Sequence, residues 1–149
     1  KYLLALKCLL KAIDLDEDHP KVHEQKIRFK RTFDTYLGTL SPTLIEVLKS
    51  EFDFLSTSTD LVEYNEKYLL KNKNSPRKIT SALRVRRLLV PETASKAEKD
   101  LKQILNLPNT TLDEASEAFE ILKFWESNEL GDYRSEAASR WPKATIFQL

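Results

Sequence analysis

Apolar residues recur along this chain at spacings of three and four, the period of a helix with a buried stripe. Tyr2, Leu6, Leu9 and Ile13 share one face of a helix over residues 1–15, with Leu3 and Leu10 at its edge. Leu4 and Cys8 fall on the opposite side, between Lys7 and Lys11. A helix that is apolar on two sides is sandwiched between neighbours, so Cys8 is expected to be a small core residue. A second helix is predicted from about Pro20 to Leu37, with proline at its first position and Gly38 as its stop. A third, over about 41–55, begins at Ser41-Pro42 and buries Leu44, Ile45, Leu48, Phe52 and Leu55. Asp60-x-x-Glu63 is a capping-box pattern that opens a fourth helix, which frays at Asn72–Asn74. A fifth runs from Ser75-Pro76 to the residue before Pro91, and a sixth covers about 93–106. Thr111-x-x-Glu114, a second capping box, starts a seventh that reaches about Asn128. Gly131 marks a turn, and an eighth helix follows from Asp132 to about Arg140, closed by Trp141-Pro142 and an apolar tail over Ile146–Leu149. Nowhere does the pattern alternate as a strand does. The expected fold is all-α: about eight helices stacked as helical hairpins, a single α-solenoid segment over residues 1–149.

Composition sharpens this picture. Two glycines in 149 residues disfavour strand-and-turn folds and phosphate-cradling loops, both of which consume glycine. With 41% apolar residues the chain can build a core. One cysteine excludes an internal disulfide and fits a reducing compartment. No signal peptide is evident, and no apolar run approaches the roughly 20 residues that span a bilayer, so no membrane partner is expected. The chain has no methionine and starts inside a helix without a cap, so it reads as a fragment of a longer solenoid whose first helix has lost its partner.

Candidate chemistry is sparse. His19 and His23 are four apart, a spacing that can place two imidazoles on one metal, but neither an HExxH pattern nor a cysteine partner accompanies them. They read as turn and helix-face residues. No Gly-x-Ser-x-Gly, Cys/His pair or P-loop can be written, and no carboxylate stands isolated in an apolar stretch. No catalytic, cofactor-binding or metal-binding residue is therefore assigned, and the segment is expected to be non-enzymatic. Net charge is only +1, yet the charges are sorted. From Lys67 to Pro91 there are eight basic residues and no acid; from Leu112 to Glu136 there are eight acids against Lys123 and Arg134. The two stretches could exchange ion pairs or solvate their outer faces. Alternatively, Arg77, Lys78, Arg84, Arg86 and Arg87 form a patch for a polyanion or a partner. Arg86 is unusual, because it points along the apolar stripe of its helix. It is expected to reach the surface or to pair with a carboxylate, from the 111–128 helix.

Ala5, Leu9 and Ala12 repeat the small–large–small spacing of the second helix of a tetratricopeptide repeat, with Glu17 where that repeat has proline. At KYLLALKCLLKAIDLDEDHPKVHEQKIRF the sequence resembles the auxiliary, non-catalytic subunit of the N-terminal acetyltransferase A (NatA) complex. The likeness continues at Ser81-Ala82-Leu83 with Val90-Pro91, and at Leu130-Gly131-Asp132 leading through Glu136-Ala137-Ala138 to Trp141-Pro142. The resemblance implies the C-terminal part of a long horseshoe of helical pairs. Such a subunit wraps a small catalytic acetyltransferase, shapes its specificity for N-termini exposed after methionine removal, and docks the complex on the ribosome in the cytoplasm. It further implies that acetyl-CoA belongs to the catalytic partner. The family's inositol polyphosphate and regulatory-protein sites carry over onto no residue here. Two other readings of the residues stand beside it: a generic tetratricopeptide-like adaptor for peptides, and an RNA- or ribosome-contacting helical module using residues 67–87.

Overall fold

A computed structural model describes residues 1–148, and of Tyr2 the backbone alone. The expected places of the Tyr2 side chain and of Leu149 lie outside the described residues. The fold is all-α and tetratricopeptide-like. Its α-helices are α1 (Tyr2–Asp16), α2 (Pro20–Thr35), α3 (Pro42–Glu51), α4 (Asp53–Ser56), α5 (Leu61–Lys71), α6 (Pro76–Leu89), α7 (Ala94–Lys102), α8 (Leu112–Phe124) and α9 (Leu130–Arg140). Short 3₁₀ turns occupy Leu37–Thr39, Pro91–Thr93, Gln103–Asn106 and Thr145–Phe147. The chain divides into two compact units, residues 1–66 and 67–149, with the division inside α5.

In the first unit α1 and α2 form a hairpin, and α3 and α4 fold back on it. Leu6 and Leu9 of α1 meet Phe33 of α2, Leu48 of α3, Phe52 and Leu55 in one cluster. Proline opens α2 and α3 because its missing N–H is unsatisfied at a helix start anyway. The preceding side chains cap them. His19 Nδ1 accepts from the Lys21 amide at 3.1 Å, and Ser41 Oγ accepts from the Leu44 amide at 3.2 Å. Asp60 Oδ1 accepts the amides of Val62 and Glu63 at the start of α5.

Three expectations need correction here. The 41–55 helix is two helices, because Phe52 turns extended (φ −143°, ψ 99°) to put its ring in the core, and α4 restarts behind it. Gly38 is not a left-handed stop. α2 ends at Thr35 on Tyr36 (φ −105°), and Gly38 sits within the 3₁₀ turn without a positive φ. Cys8 is exposed rather than in the core, and Leu4 and Leu15 on the same side of α1 are 68% and 78% exposed. Wheel position showed which residues share that side of α1, not whether it is covered.

The second unit packs α6 on α7, both on α8, and α8 on α9. Its core joins Leu83, Leu101, Ile104, Phe119, Leu122 and Tyr133. Ala97, Ala115, Ala118 and Ala137 are fully buried, and their small side chains let the helix backbones approach closely. The tail folds in: Phe147 is 1% exposed and lies edge-on to Phe119 at 5.4 Å. Tyr133 donates its hydroxyl to the Ala115 carbonyl at 2.7 Å, which pins α9 to α8. Burial pushes that phenol's pKa upward, against the pull of the nearby Arg140 charge.

Arg140, the last residue of α9, closes this unit. Its guanidinium donates to four backbone carbonyls of the α7–α8 connection, those of Leu105, Leu107, Pro108 and Thr110, at 2.9–3.1 Å. The same group lies 4.6 Å from the Trp141 ring. Thr110 adds a bond from its hydroxyl to the Ile104 carbonyl at 2.7 Å. A connection of this kind leaves carbonyls that no helix satisfies, and a planar fork of five donors suits them.

Helix α8 begins in a complete capping box, Thr111 with Glu114. It ends with Glu126 N–H on the Lys123 carbonyl and Ser127 N–H on the Leu122 carbonyl. That pair of bonds is a Schellman stop with Glu126 in the left-handed position (φ 53°), where glycine is usual. Gly131 falls inside α9 rather than in a turn before it.

Candidate functional site

The basic stretch lies on α6, and the structure shows where its charges go. Arg86 and Arg87 sit in the last turn, where the helix dipole favours cations. Arg77 and Lys78 sit in the first turn, where it does not. Arg77 Nε lies 3.7 Å from Glu114 on α8, and Arg84 Nη2 reaches Glu117 on the same helix at 2.6 Å. The Glu114 carboxylate serves both the cap of α8 and Arg77. Arg86 is buried, 7% exposed, and its Nη1 donates to Asp100 Oδ2 at 2.7 Å. The expected carboxylate partner is present, although it comes from α7 rather than from the 111–128 segment. The Arg87 guanidinium lies 4.3 Å from the Trp125 ring, a cation–π contact.

The five residues named from the sequence therefore share one helix but not one open surface. Arg77 is exposed, Lys78, Arg84 and Arg87 are half-buried, and Arg86 is buried. Three of the arginines tie α6 to α7 and α8 through ion pairs, and a fourth does so through an aromatic ring. Lys71 and Lys73, just before α6, are exposed and continue the basic stretch. A second set of charges was not foreseen. Lys102 at the end of α7 faces Glu129, Asp132 and Glu136 at 3.3–3.7 Å, around the start of α9. Glu129 and Asp132 at the start of α9 and a lysine at the end of α7 are on the favourable side of their helix dipoles.

The two histidines have separate duties. His19 caps α2. His23 is 3% exposed, its Nε2 bonds Asn65 Oδ1 at 2.9 Å, and its ring stacks on Tyr64 at 5.5 Å. Burial holds the His23 pKa below its ordinary value; the Asn65 bond and Glu24 push the other way, and Lys26 adds to the depression. Among the described residues, no group of three or more His, Cys, Asp or Glu side chains is placed to hold a metal ion. Among the same residues, no helix is long and apolar enough to cross a membrane.

A groove lies between α1 and α2. It encloses about 600 Å³. Leu9, Ala12, Val22 and Phe29 form its floor, and Cys8 and Leu15 its lip. Sequence periodicity marked the second apolar side of α1, which borders this groove.

No family model matches the chain. It is similar to the human protein named N-alpha-acetyltransferase 16, NatA auxiliary subunit, with 25% identity over 125 residues. The similarity covers 76% of this chain and 14% of the human protein, so the chain spans about one seventh of the length of the relative it matches.

Proposed function

We propose that this chain is a scaffold region of a NatA auxiliary subunit, supporting a catalytic acetyltransferase subunit in N-terminal acetylation. The observation that carries the proposal is the similarity to the human auxiliary subunit across three quarters of the chain. Helices packed on their sequence neighbours suit such a role, because each pair adds surface for a partner at little loop cost. Positioning is then the contribution of this region. It biases the bound enzyme toward a competent geometry and takes no part in bond making. In this reading acetyl-CoA is held by the catalytic partner, and the complex works in the cytoplasm at the ribosome.

The test is a pull-down with the intact protein, with and without residues 1–149, followed by acetylation of a peptide beginning with Ser or Ala. Loss of the acetyltransferase or of its activity on deletion supports the proposal. Full retention of both refutes it.

A second reading rests on the exposed Lys71, Lys73 and Arg77, which leave an outward basic edge for a polyanion such as ribosomal RNA. Binding that falls steeply with salt, and falls further when these three residues are reversed in charge, supports it. Binding that ignores both removes it.

A further inference from the structure

Helix α5 is seated on α2 differently from its neighbours. Helices α1 to α4 share the apolar cluster of Leu6, Leu9, Phe33, Leu48, Phe52 and Leu55, and among the described residues no side chain of α5 enters it. Asn65, 1% exposed, is the one buried residue of α5. The contacts that seat the helix are polar and aromatic. Asn65 Oδ1 meets His23 Nε2 at 2.9 Å, and the Tyr64 ring lies 5.5 Å from the His23 ring and 5.2 Å from Phe54 of α4. Lys26 Nζ stands over both Phe54 and Tyr64, at 5.1 and 5.7 Å. Thr57 and Ser58, between α4 and α5, are exposed and give the helix a pliable lead.

A seat of this kind opens at small loss, because His23 and Asn65 exchange their bond for bonds to water and give up little apolar contact. Acid tips the balance. The neutral His23 ring suits the closed seat, whereas a charged ring would sit there out of water with the Lys26 ammonium nearby. Two groups pull the other way. Asn65 Oδ1 can accept from Nε2–H in either charge state, and the Glu24 carboxylate favours the cation, although it is shared with Arg28 Nε at 3.3 Å. Burial outweighs both. From α5 the Tyr64 phenol faces the ring, and α4 meets the cluster through Phe54.

We propose that the first half of α5 is a strap that lifts from α2 on acidification, with the His23–Asn65 pair as its catch, while α1 to α4 stay packed. Once lifted, the His23 ring is in water and takes a proton near pH 6.5. The closed form therefore holds fully above that pH and loses ground below it, until the seated ring titrates as well. An 11-residue helix off its seat is marginal in water, so the lifted segment gives up its own amide bonds. The core around Leu6 and Leu48 takes no part in this opening. This reading does not depend on the scaffold proposal and can fail or hold separately.

The experiment is hydrogen exchange on the intact protein at about pH 7.5 and about pH 5.5, read by mass spectrometry and corrected for the intrinsic rate at each pH. Protection over residues 64–68 is expected to be about tenfold or more below that over residues 5–13 and 45–51. It is expected to fall by up to about tenfold from the higher pH to the lower, the limit for one proton gained on opening. It should change little in about 1 M urea, because a small opening exposes little surface. His23→Gln is expected to remove the pH-dependent fall. The parent profile decides without that variant, should it fail to fold. Equal protection over the three segments overturns the proposal, since α5 then opens only with the whole unit. Protection over 64–68 that ignores pH also overturns it, since α5 then merely frays. A fall that persists in a folded His23→Gln overturns it too, since another group then takes the proton.

Discussion

Replacing Arg140 should damage the second unit more than any surface charge normally does. Three of its four bonds to carbonyls are partly buried and the fourth, to Pro108, is exposed. A hydrogen bond from a charged donor contributes roughly 1.5–3 kcal/mol when fully shielded, and about 1 kcal/mol each is a fair value at partial exposure. Three such bonds, with a little from the Trp141 contact, put the loss in Arg140→Met at about 3 kcal/mol, since methionine keeps the packed stem but donates nothing. Lysine has its donors on one atom and cannot span four carbonyls, so Arg140→Lys should still lose about 2 kcal/mol. In urea, with a dependence of about 1–3 kcal/mol/M, the methionine variant should unfold at a midpoint roughly 1–3 M lower. Hydrogen exchange should report the damage in the amides of residues 105–110 first. A methionine variant within about 1 kcal/mol of the parent, or a lysine variant equal to it, would falsify the idea that the guanidinium holds the connection.

Three other expectations follow from the geometry. Thr111→Ala removes half of the capping box at the start of α8 and should cost about 1 kcal/mol in denaturant unfolding, while Thr111→Ser should be close to neutral. Because burial lowers the His23 pKa, the unfolded chain takes up a proton near pH 6.5 that the folded ring refuses. Stability is complete above that pH and falls on acidification by at most about 1.4 kcal/mol per pH unit, until the folded ring titrates. A His23→Asn variant that shows the same acid slope as the parent would remove this assignment. A double-mutant cycle on Arg84 and Glu117 should give a coupling of about 1 kcal/mol that shrinks in 1 M salt. Zero coupling would mean that the pair is incidental.

What the sequence revealed were local decisions. Ser41-Pro42, Asp60 and the Thr111–Glu114 pair set helix starts through contacts within three residues, so their spelling was enough. The period of Leu6, Leu9, Phe33 and Leu48 identified core faces for the same reason. Decisions made over longer separations were illegible. Phe52 breaks a sequence that reads as one helix: its extended backbone accompanies a ring placed in the core with Leu6, Phe33 and Leu48, residues distant in the chain. Arg140 meets its carbonyls 30–35 residues away, and no spacing rule points from the end of one helix to the turn before another. Arg86 shows the intermediate case: its need for either the surface or a carboxylate was readable from the apolar stripe, but the choice of a carboxylate, and its identity as Asp100, was set by how α7 packs. For the candidate site, charge sorting between residues 67–91 and 112–136 was visible and ion pairing between the two stretches was one of its readings, as Arg77–Glu114 and Arg84–Glu117 bear out; the Asp100 partner of Arg86 and the Trp125 contact of Arg87 were not readable.

The Schellman stop at Glu126 also bears on how far this chain could be improved. A left-handed glutamate carries a steric penalty that glycine avoids, so Glu126→Gly should raise stability by up to about 1 kcal/mol. Meanwhile neither of the two glycines has a positive φ, and a methyl group added at Gly38 or Gly131 would meet nothing within 4 Å. Glycine is therefore spent where alanine would serve and withheld where it would help. A lineage holding this arrangement has unused thermodynamic headroom within single substitutions that touch no packed side chain. Selection for greater robustness would find these backbone positions open before it had to disturb a buried helix contact.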